Sequence, residues 1–281
     1  KKLTINDAAV VFEAEEGVFA LGRGFRMGFL GLLHIEITAE RLKREYNLKL
    51  VFSNPSVSFK VCQKAACNII YSPAKIPPTN LTDKIEEPWV KLEIISPAKY
   101  LGGLTVLLSE HGGRLKETKD LAGGRLLLMT EAPLREIIVD FYDQLKSISQ
   151  GFASMAYEPI GYREGDLVRM DILVAGEKVF SFTEVVPREK AYNLGRAKLI
   201  KLKNLLPREL FAVALQAEVD GKIIARETIP AMRKDVTGYL YGGDRTRKMK
   251  LWKKQQKGKK RLLSSAKVDI PAEVFLKMIK K

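Results

Sequence analysis

Cysteine, histidine and long apolar runs are all scarce in this 281-residue chain, and each scarcity excludes a class of protein. Two cysteines, Cys62 and Cys67, are too few for a disulfide framework or a four-ligand zinc site. We therefore expect a reducing cytosol and two thiols that serve as packing residues. No apolar run approaches the roughly 20 residues that cross a bilayer, and the first residues lack the apolar region of a signal peptide.

Motifs for nucleotide binding and catalysis are also missing from the sequence. No Gly-x-x-x-x-Gly-Lys-Ser/Thr loop is present to cradle phosphates, and the glycines of residues 22–28 lack the dinucleotide-binding spacing. Of the two histidines, His34 lies among apolar residues and His111 at a predicted helix end, which favours structural roles for both. We predict a chain without catalytic residues, metal ligands or a bound cofactor of its own.

Turn residues and apolar periodicity predict an α+β chain, which opens with a truncated ferredoxin-like domain over residues 1–71. Its pattern is strand, strand, helix, strand, with a glycine-rich link over residues 22–28 and a helix that stops at Asn47. Residues 72–87 contain several prolines and few apolar residues, which is typical of an interdomain linker.

The rest of the chain divides into two further predicted domains. Residues 88–164 follow the order β-α-β-β-α-β, the split βαβ or ferredoxin-like arrangement, with a last helix from Pro133 to about residue 149. Residues 165–281 form an α/β C-terminal domain. Its hairpins turn at residues 175–176 and 220–221, the second of them an Asp-Gly dipeptide, and a final helix follows Pro271.

The positive charge is concentrated near the C-terminus. The chain carries a net charge of +15, but residues 230–281 alone contain 16 basic and 4 acidic side chains. Like charges at this density repel one another, and a phosphate backbone would neutralise them. We predict RNA binding by a basic segment between residues 241 and 261. Its residues are Tyr241, Arg245, Arg247, Lys248, Lys250, Trp252, Lys253, Lys254, Lys257, Lys259, Lys260 and Arg261.

These residue types do not by themselves separate RNA from DNA or from an anionic membrane. Arginine offers paired donors to phosphate, lysine offers a point charge, and Trp252 or Tyr241 could stack on a base. Met249 and Trp252 share only a narrow apolar stripe, which argues against a helix embedded in a membrane.

Several motifs resemble the LepA family of translation factors, also called elongation factor 4. Residues 22–36 (GRGFRMGFLGLLHIE) resemble the third domain of that family, and residues 87–157 resemble the domain V that it shares with elongation factor G. The motifs LPRELF at 206–211 and YGGD at 241–244 resemble its C-terminal domain. The resemblance spans essentially the whole chain, although Met27 and Pro187 depart from the family pattern.

This resemblance implies a ribosome-associated GTPase that acts on tRNA position by back-translocation. It implies that the basic segment contacts tRNA or ribosomal RNA, that ribosomal proteins are further partners, and that membrane lipid is contacted peripherally. We expect a cytoplasmic monomer. Family members begin with a GTPase domain and a β-barrel, so we expect a C-terminal fragment without them; GTP and Mg²⁺ would belong to the missing domain.

Three alternatives stay open at this point. The isolated domains could hydrolyse nucleotide, although the absence of a phosphate-binding loop opposes this. The chain could instead dock only to ribosomal protein, without direct RNA contact. The basic segment could also bind anionic lipid.

Overall fold

A computed structural model describes residues 7–15, 24–48, 50–64, 66–232, 245–265 and 268–279. The chain separates into two compact units. The first unit comprises Lys1–Asn54, Met170–Thr183 and Glu189–Lys280, and the second comprises Pro55–Arg169 and Glu184–Arg188. Helices combine with antiparallel sheets, so the predicted α+β class is confirmed.

The first unit opens with a two-stranded ribbon and a helix. Strand β1 (Val11–Glu15) pairs antiparallel with β2 (Gly24–Gly28), and helix α1 (Leu32–Tyr46) follows. Asn47 ends α1 in the left-handed conformation, with φ of 51°, as the sequence predicted. Part of the expected glycine-rich link is a strand. This strand, β2, begins at Gly24, ends at Gly28 and pairs with β1 along its whole length.

The second unit contains a six-stranded antiparallel sheet. Its strands are β3 (Phe59–Gln63), β4 (Ala66–Ile70), β5 (Lys84–Pro97), β6 (Arg114–Leu121), β7 (Arg125–Pro133) and β8 (Ser154–Glu164). Its helices are α2 (Leu101–Glu110), α3 (Leu134–Ile137) and α4 (Phe141–Ile148). The order β8-β5-β7-β6 with helices after β5 and β7 is the predicted ferredoxin-like arrangement.

The core of this arrangement lies between the sheet and its helices. Leu92 and Ile94 of β5 are fully buried against Leu104 of α2 and against Phe141 and Leu145 of α4. Each large apolar side chain of this kind contributes about 1.5–3 kcal/mol when it is removed from water. From Val90 to Pro97 of β5, buried residues alternate with more exposed ones, which is the two-residue period of a strand.

The helix predicted after Pro133 is interrupted, which corrects the sequence-based expectation. Helix α3 ends at Ile137 and α4 begins at Phe141, because Asp140 adopts the left-handed conformation with φ of 57°. No glycine or proline marks this break in the sequence. Phe141 and Leu145 of α4 are both fully buried. The break therefore occurs where α4 packs into the core, and local propensity did not predict it.

Residues 72–87 are more structured than their composition suggested. They contain two short 3-10 helices, Pro73–Lys75 and Thr79–Leu81, and the first residues of β5. Ile76 is fully buried in a second core cluster with Phe59 and Ile85. The predicted domain boundaries, including the linker at 72–87, stay a prediction.

The expectation of two separate packing thiols is wrong, because Cys62 and Cys67 are joined by a disulfide. They are directly opposed on β3 and β4, with Cα atoms 4.1 Å apart. In the sequence, only a Lys-Ala dipeptide separates Gln63 of β3 from Ala66 of β4. This dipeptide is not a typical hairpin former, so the sequence lacked the usual signal for the pairing.

The remaining elements are β9 (Leu167–Val174), β10 (Glu177–Lys178), β11 (Glu184–Pro187), α5 (Ala191–Leu205), β12 (Val213–Val219), β13 (Lys222–Ile229), α6 (Arg245–Ser265) and α7 (Ala272–Ile279). In the first unit, β10, β9, β12 and β13 lie in that order, and α5 packs on β12 and β13. Asp220 and Gly221 both have positive φ, which confirms the predicted hairpin turn. Helix α7 follows Pro271 as predicted.

Gly113, which connects α2 to β6, allows a first stability prediction. A Cβ at this position would lie 2.9 Å from the carbonyl oxygen of Leu108 and 3.2 Å from Cγ2 of Thr130. We expect Gly113→Ala to lower the free energy of unfolding by about 1–3 kcal/mol through overpacking. Urea denaturation of the purified chain measures this change.

Gly102 provides the control, because it is the second residue of α2 and a Cβ there meets no atom within 4 Å. Gly102→Ala should stabilise the chain by about 0.5–1 kcal/mol through helix propensity. If both alanines changed stability equally, the close approach at Gly113 would not be the cause.

Candidate RNA interface

Helix α6 carries the predicted RNA-binding residues that the structure describes. It is 21 residues long, from Arg245 to Ser265. The side chains of residues 245–258 are described, and those of Lys259, Lys260 and Arg261 lie outside the described set although their backbone is helical. Tyr241 lies outside the described residues altogether. The RNA-binding assignment of all these residues stays a prediction.

Four lysines form one exposed stripe along α6. Lys250, Lys253, Lys254 and Lys257 are spaced at i, i+3, i+4 and i+7, and all four are exposed. Residues three and four apart are neighbours on a helix surface, about 5–6 Å between their Cβ atoms. At 1.5 Å rise per residue, the stripe is roughly 10 Å long. We call these four residues the lysine stripe.

A second face of α6 is partly buried. Among the described side chains of this helix, residues 245–258, those of intermediate exposure are Lys248, Leu251 and Gln255, which recur at i, i+3 and i+7. This spacing places them together and away from the lysine stripe, since 100° separates successive residues around a helix. The helix therefore presents the stripe to solvent on the side opposite its partly buried residues.

The stripe has no carboxylate counterions among the described residues. In the described part of the chain, no carboxylate lies within salt-bridge distance of its four ammonium groups. Other lysines are paired: Lys203 Nζ is 2.8 Å from Glu227, and Lys178 Nζ is 2.9 Å from Asp171. Like charges at i and i+4 destabilise a helix, so a bound polyanion would relieve a repulsion built into α6.

Two exposed apolar residues lie outside the stripe on α6: around the helix axis, Met249 is about 40° and Trp252 about 100° from Lys253. Met249 and Trp252 are 44% and 54% exposed and lie three residues apart, as the sequence pattern suggested. An exposed indole beside cationic side chains can stack on a nucleobase while the lysines hold the phosphates. The apolar stripe is only two residues wide among the described side chains, which suits base stacking better than insertion into lipid.

Both histidines have structural partners. The ring of His34 accepts a hydrogen bond at Nδ1 from the Leu30 N–H (3.2 Å), so Nε2 carries the hydrogen donated to Asp7 Oδ2 (2.9 Å). This hydrogen bond lowers the pKa of Asp7. The ring of His111 is buried and packs edge-on against Phe141, at 5.3 Å between ring centroids. The described residues contain no group of side chains suited to a metal ion.

A buried charge network lies beside His111 in the second unit. Arg135 Nε donates to Glu87 Oε2 (3.0 Å), and Arg135 Nη1 donates to Glu136 Oε1 (2.7 Å). Burial raises the pKa of Glu87, against the opposing effect of the Arg135 guanidinium. Sequence reasoning missed this network because the three residues meet only when β5 and α3 pack together.

Within the described ranges, every helix is too short or too polar to cross a lipid bilayer. The longest of them, α6, consists mainly of lysine, arginine and glutamine.

Comparison with known proteins gives two family matches that are consecutive in the chain. Residues 84–173 match the family described as elongation factor G C-terminus, and residues 174–280 match GTP-binding protein LepA C-terminus. The first match begins at the start of β5, and the second includes all of α6.

Curated relatives align with nearly the whole chain. It is 51% identical over 282 residues to elongation factor 4 of one strain of Thermus thermophilus, an alignment that covers 99% of the chain and 46% of that protein. Elongation factor 4 of Trichodesmium erythraeum is 49% identical, and that of Campylobacter jejuni subsp. jejuni serotype O:2 is 48% identical, each over 280 residues. The chain covers 46% and 47% of these two relatives and thus spans about half their length.

Proposed function

We propose that this chain is the portion of a translation factor that binds structured RNA on the ribosome. The premise is that the chain belongs to the LepA family of translation factors. The resemblance drawn from the sequence motifs is confirmed by the matches to elongation factor 4 and to the two C-terminal families. Its role as part of a translation factor follows from these relatives. The finer statements about RNA, tRNA and the ribosome are our proposal.

The lysine stripe is the observation that carries this proposal. Four exposed ammonium groups, without carboxylate partners among the described residues, form a surface that suits a phosphate backbone. Structured RNA is recognised mainly through its shape and its phosphates, and lysines on one helix face can follow a backbone without reading sequence. Trp252 would add a stacking contact to an unpaired base.

In the longer protein, this chain would hold tRNA and ribosomal RNA while another part hydrolyses GTP. We propose that the longer protein acts on tRNA position by back-translocation in the cytoplasm, with ribosomal proteins as further partners. GTP and Mg²⁺ would bind in the half of the family's length that the chain does not span. Peripheral contact with anionic lipid is the competing use of the same basic helix.

Salt titration of binding tests the proposal. Fluorescently labelled tRNA, purified ribosomes and anionic lipid vesicles are the three probes, each measured between low and physiological salt. If the four lysines neutralise four phosphates, log affinity for tRNA should fall against log salt with a slope of about −3 to −4. Affinity for tRNA and ribosomes that is independent of salt would overturn the proposal, and preference for vesicles would favour the lipid alternative.

GTP hydrolysis by the purified chain is a separate check. We expect no turnover, because the sequence contains no phosphate-binding loop. GTP turnover that persists after further purification would show that this chain itself catalyses GTP hydrolysis.

A further inference from the structure

The two cysteines lie on a hairpin of the second unit, whereas the lysine stripe belongs to the first. Cys62 of β3 and Cys67 of β4 oppose one another across the antiparallel pair, five residues apart in sequence and 4.1 Å between Cα atoms. Their side chains therefore project from the same face of the hairpin. The reduced thiols would remain neighbours in the same register.

The two positions differ in their access to solvent. Cys62 is 4% exposed. Cys67 is exposed, and so are Ala66, Asn68 and Ile69 around it on β4. Thiol–disulfide exchange proceeds by attack on an accessible sulfur, so a reagent in solution reaches Cys67 before Cys62.

The hairpin is held by bonds other than the disulfide. The backbone N–H of Asp83 donates to the carbonyl oxygen of Cys62 (2.9 Å), and Asp83 Oδ2 accepts from the N–H of Lys64 (2.7 Å). Gln63 Nε2 donates to the carbonyl oxygen of Leu81 (2.8 Å). The disulfide closes a very short loop, so it restricts the unfolded chain less than a longer bridge would. The bond can therefore open and close while the hairpin stays folded.

We propose that Cys67 is a site of reversible thiol modification and that Cys62 is its resolving thiol. The Cys67 thiolate attacks a low-molecular-weight disulfide, RSSR; the S–S bond of RSSR breaks, one RS⁻ leaves and takes up a proton, and Cys67 carries a mixed disulfide. The Cys62 thiolate then attacks the Cys67 sulfur, expels the second RS⁻ and forms the intramolecular disulfide. The two protein thiols lose two electrons and two protons, and RSSR becomes two RSH.

This arrangement matches the chemistry of redox-responsive cysteines, in which an accessible thiol stands next to a resolving one. The mixed disulfide is then short-lived, because the second thiol is held beside it by the strand register. The site goes beyond the proposed RNA binding, since it lies in a different unit and uses none of the stripe residues.

The test compares the reduced wild-type chain with Cys62→Ser and Cys67→Ser after exposure to glutathione disulfide, followed by mass spectrometry. Wild type should lose two hydrogen atoms without accumulating an adduct. Cys62→Ser should accumulate one glutathione adduct on Cys67. In Cys67→Ser, the buried Cys62 should react at least about tenfold more slowly than Cys67 does in Cys62→Ser.

Denatured samples provide the control, because unfolding removes the difference in burial and should make the two single thiols react at similar rates. Circular dichroism confirms that both serine variants are folded. Equal rates in the folded variants, a stable adduct in wild type, or a disulfide that glutathione reduces only after denaturation would each overturn the proposal. Binding of tRNA by the same samples is a separate readout, so failure of either proposal is distinguishable.

Discussion

Replacing the lysine stripe with glutamate is expected to lower affinity for tRNA and ribosomes by roughly a hundredfold or more at low salt. The variant carries Lys250→Glu, Lys253→Glu, Lys254→Glu and Lys257→Glu. Each change removes a cation that can release a counterion from RNA and adds a charge that repels phosphate. The four residues are exposed, and the substitution removes no ion pair among the residues that the structure describes. Fluorescence anisotropy with labelled tRNA measures the loss.

The salt dependence of tRNA binding provides a second test of the same variant. The slope of log affinity against log salt should become shallower by about 3 to 4, because four phosphate contacts are lost. A matched control changes the net charge by the same amount at four exposed lysines elsewhere: Lys64, Lys99, Lys222 and Lys277. If this control lost as much affinity as the stripe variant, overall charge rather than the stripe would account for binding.

Removal of Arg135 is expected to have the largest effect on stability. Its side chain is 17% exposed, and it lies between the carboxylates of Glu87 and Glu136. Arg135→Met keeps much of the apolar stem but leaves Glu87, 6% exposed, without its cation. Breaking a buried pair in this way costs about 3–5 kcal/mol. Urea denaturation at neutral pH measures the change in the free energy of unfolding.

The loss in Arg135→Met should depend on pH. Burial already raises the pKa of Glu87 in the wild-type chain, and removal of the guanidinium raises it further. A carboxyl whose folded-state pKa is raised contributes stability below its unfolded pKa, about 4.3, and loses that contribution as pH rises through the folded value. The variant should therefore recover towards wild type as pH falls from about 8 to about 4.5.

Two further variants separate charge from packing in this network. The double variant Glu87→Gln with Arg135→Met removes the buried charge and should recover a large part of the lost stability. Arg125→Met, at an exposed position, should change stability by no more than about 0.5 kcal/mol. A loss in Arg135→Met that is independent of pH and unchanged in the double variant would assign it to the packing of the arginine stem.

Much of the fold was predictable from local patterns. The ferredoxin-like order of residues 88–164 follows from apolar alternation along strands such as β5 and from turn residues between them. The Asp220-Gly221 hairpin and the end of α1 at Asn47 follow from residues that tolerate positive φ. The helical basic segment follows from its lysines, glutamines and arginines, which favour helix.

Other features depend on contacts between residues distant in sequence. The break at Asp140 lacks a glycine or proline signal and accompanies the packing of Phe141 and Leu145 into the core. The pairing of Cys62 with Cys67 depends on a strand register that a Lys-Ala dipeptide does not predict. In both cases the free energy of packing and pairing outweighs the local propensity of a few residues, which spans about 1 kcal/mol per residue.

The concentration of charge in residues 230–281 and the family motifs could be read directly from the residues, because composition and spacing are properties of the chain alone. The folded structure was needed to show which lysines share one exposed face. It was also needed to show which carboxylates are buried beside Arg135. The reason is physical: exposure and pairing depend on which surfaces are removed from water when the elements pack. The sequence shows which residues are charged. Whether a charged side chain can contact a partner depends on the residues that folding places around it.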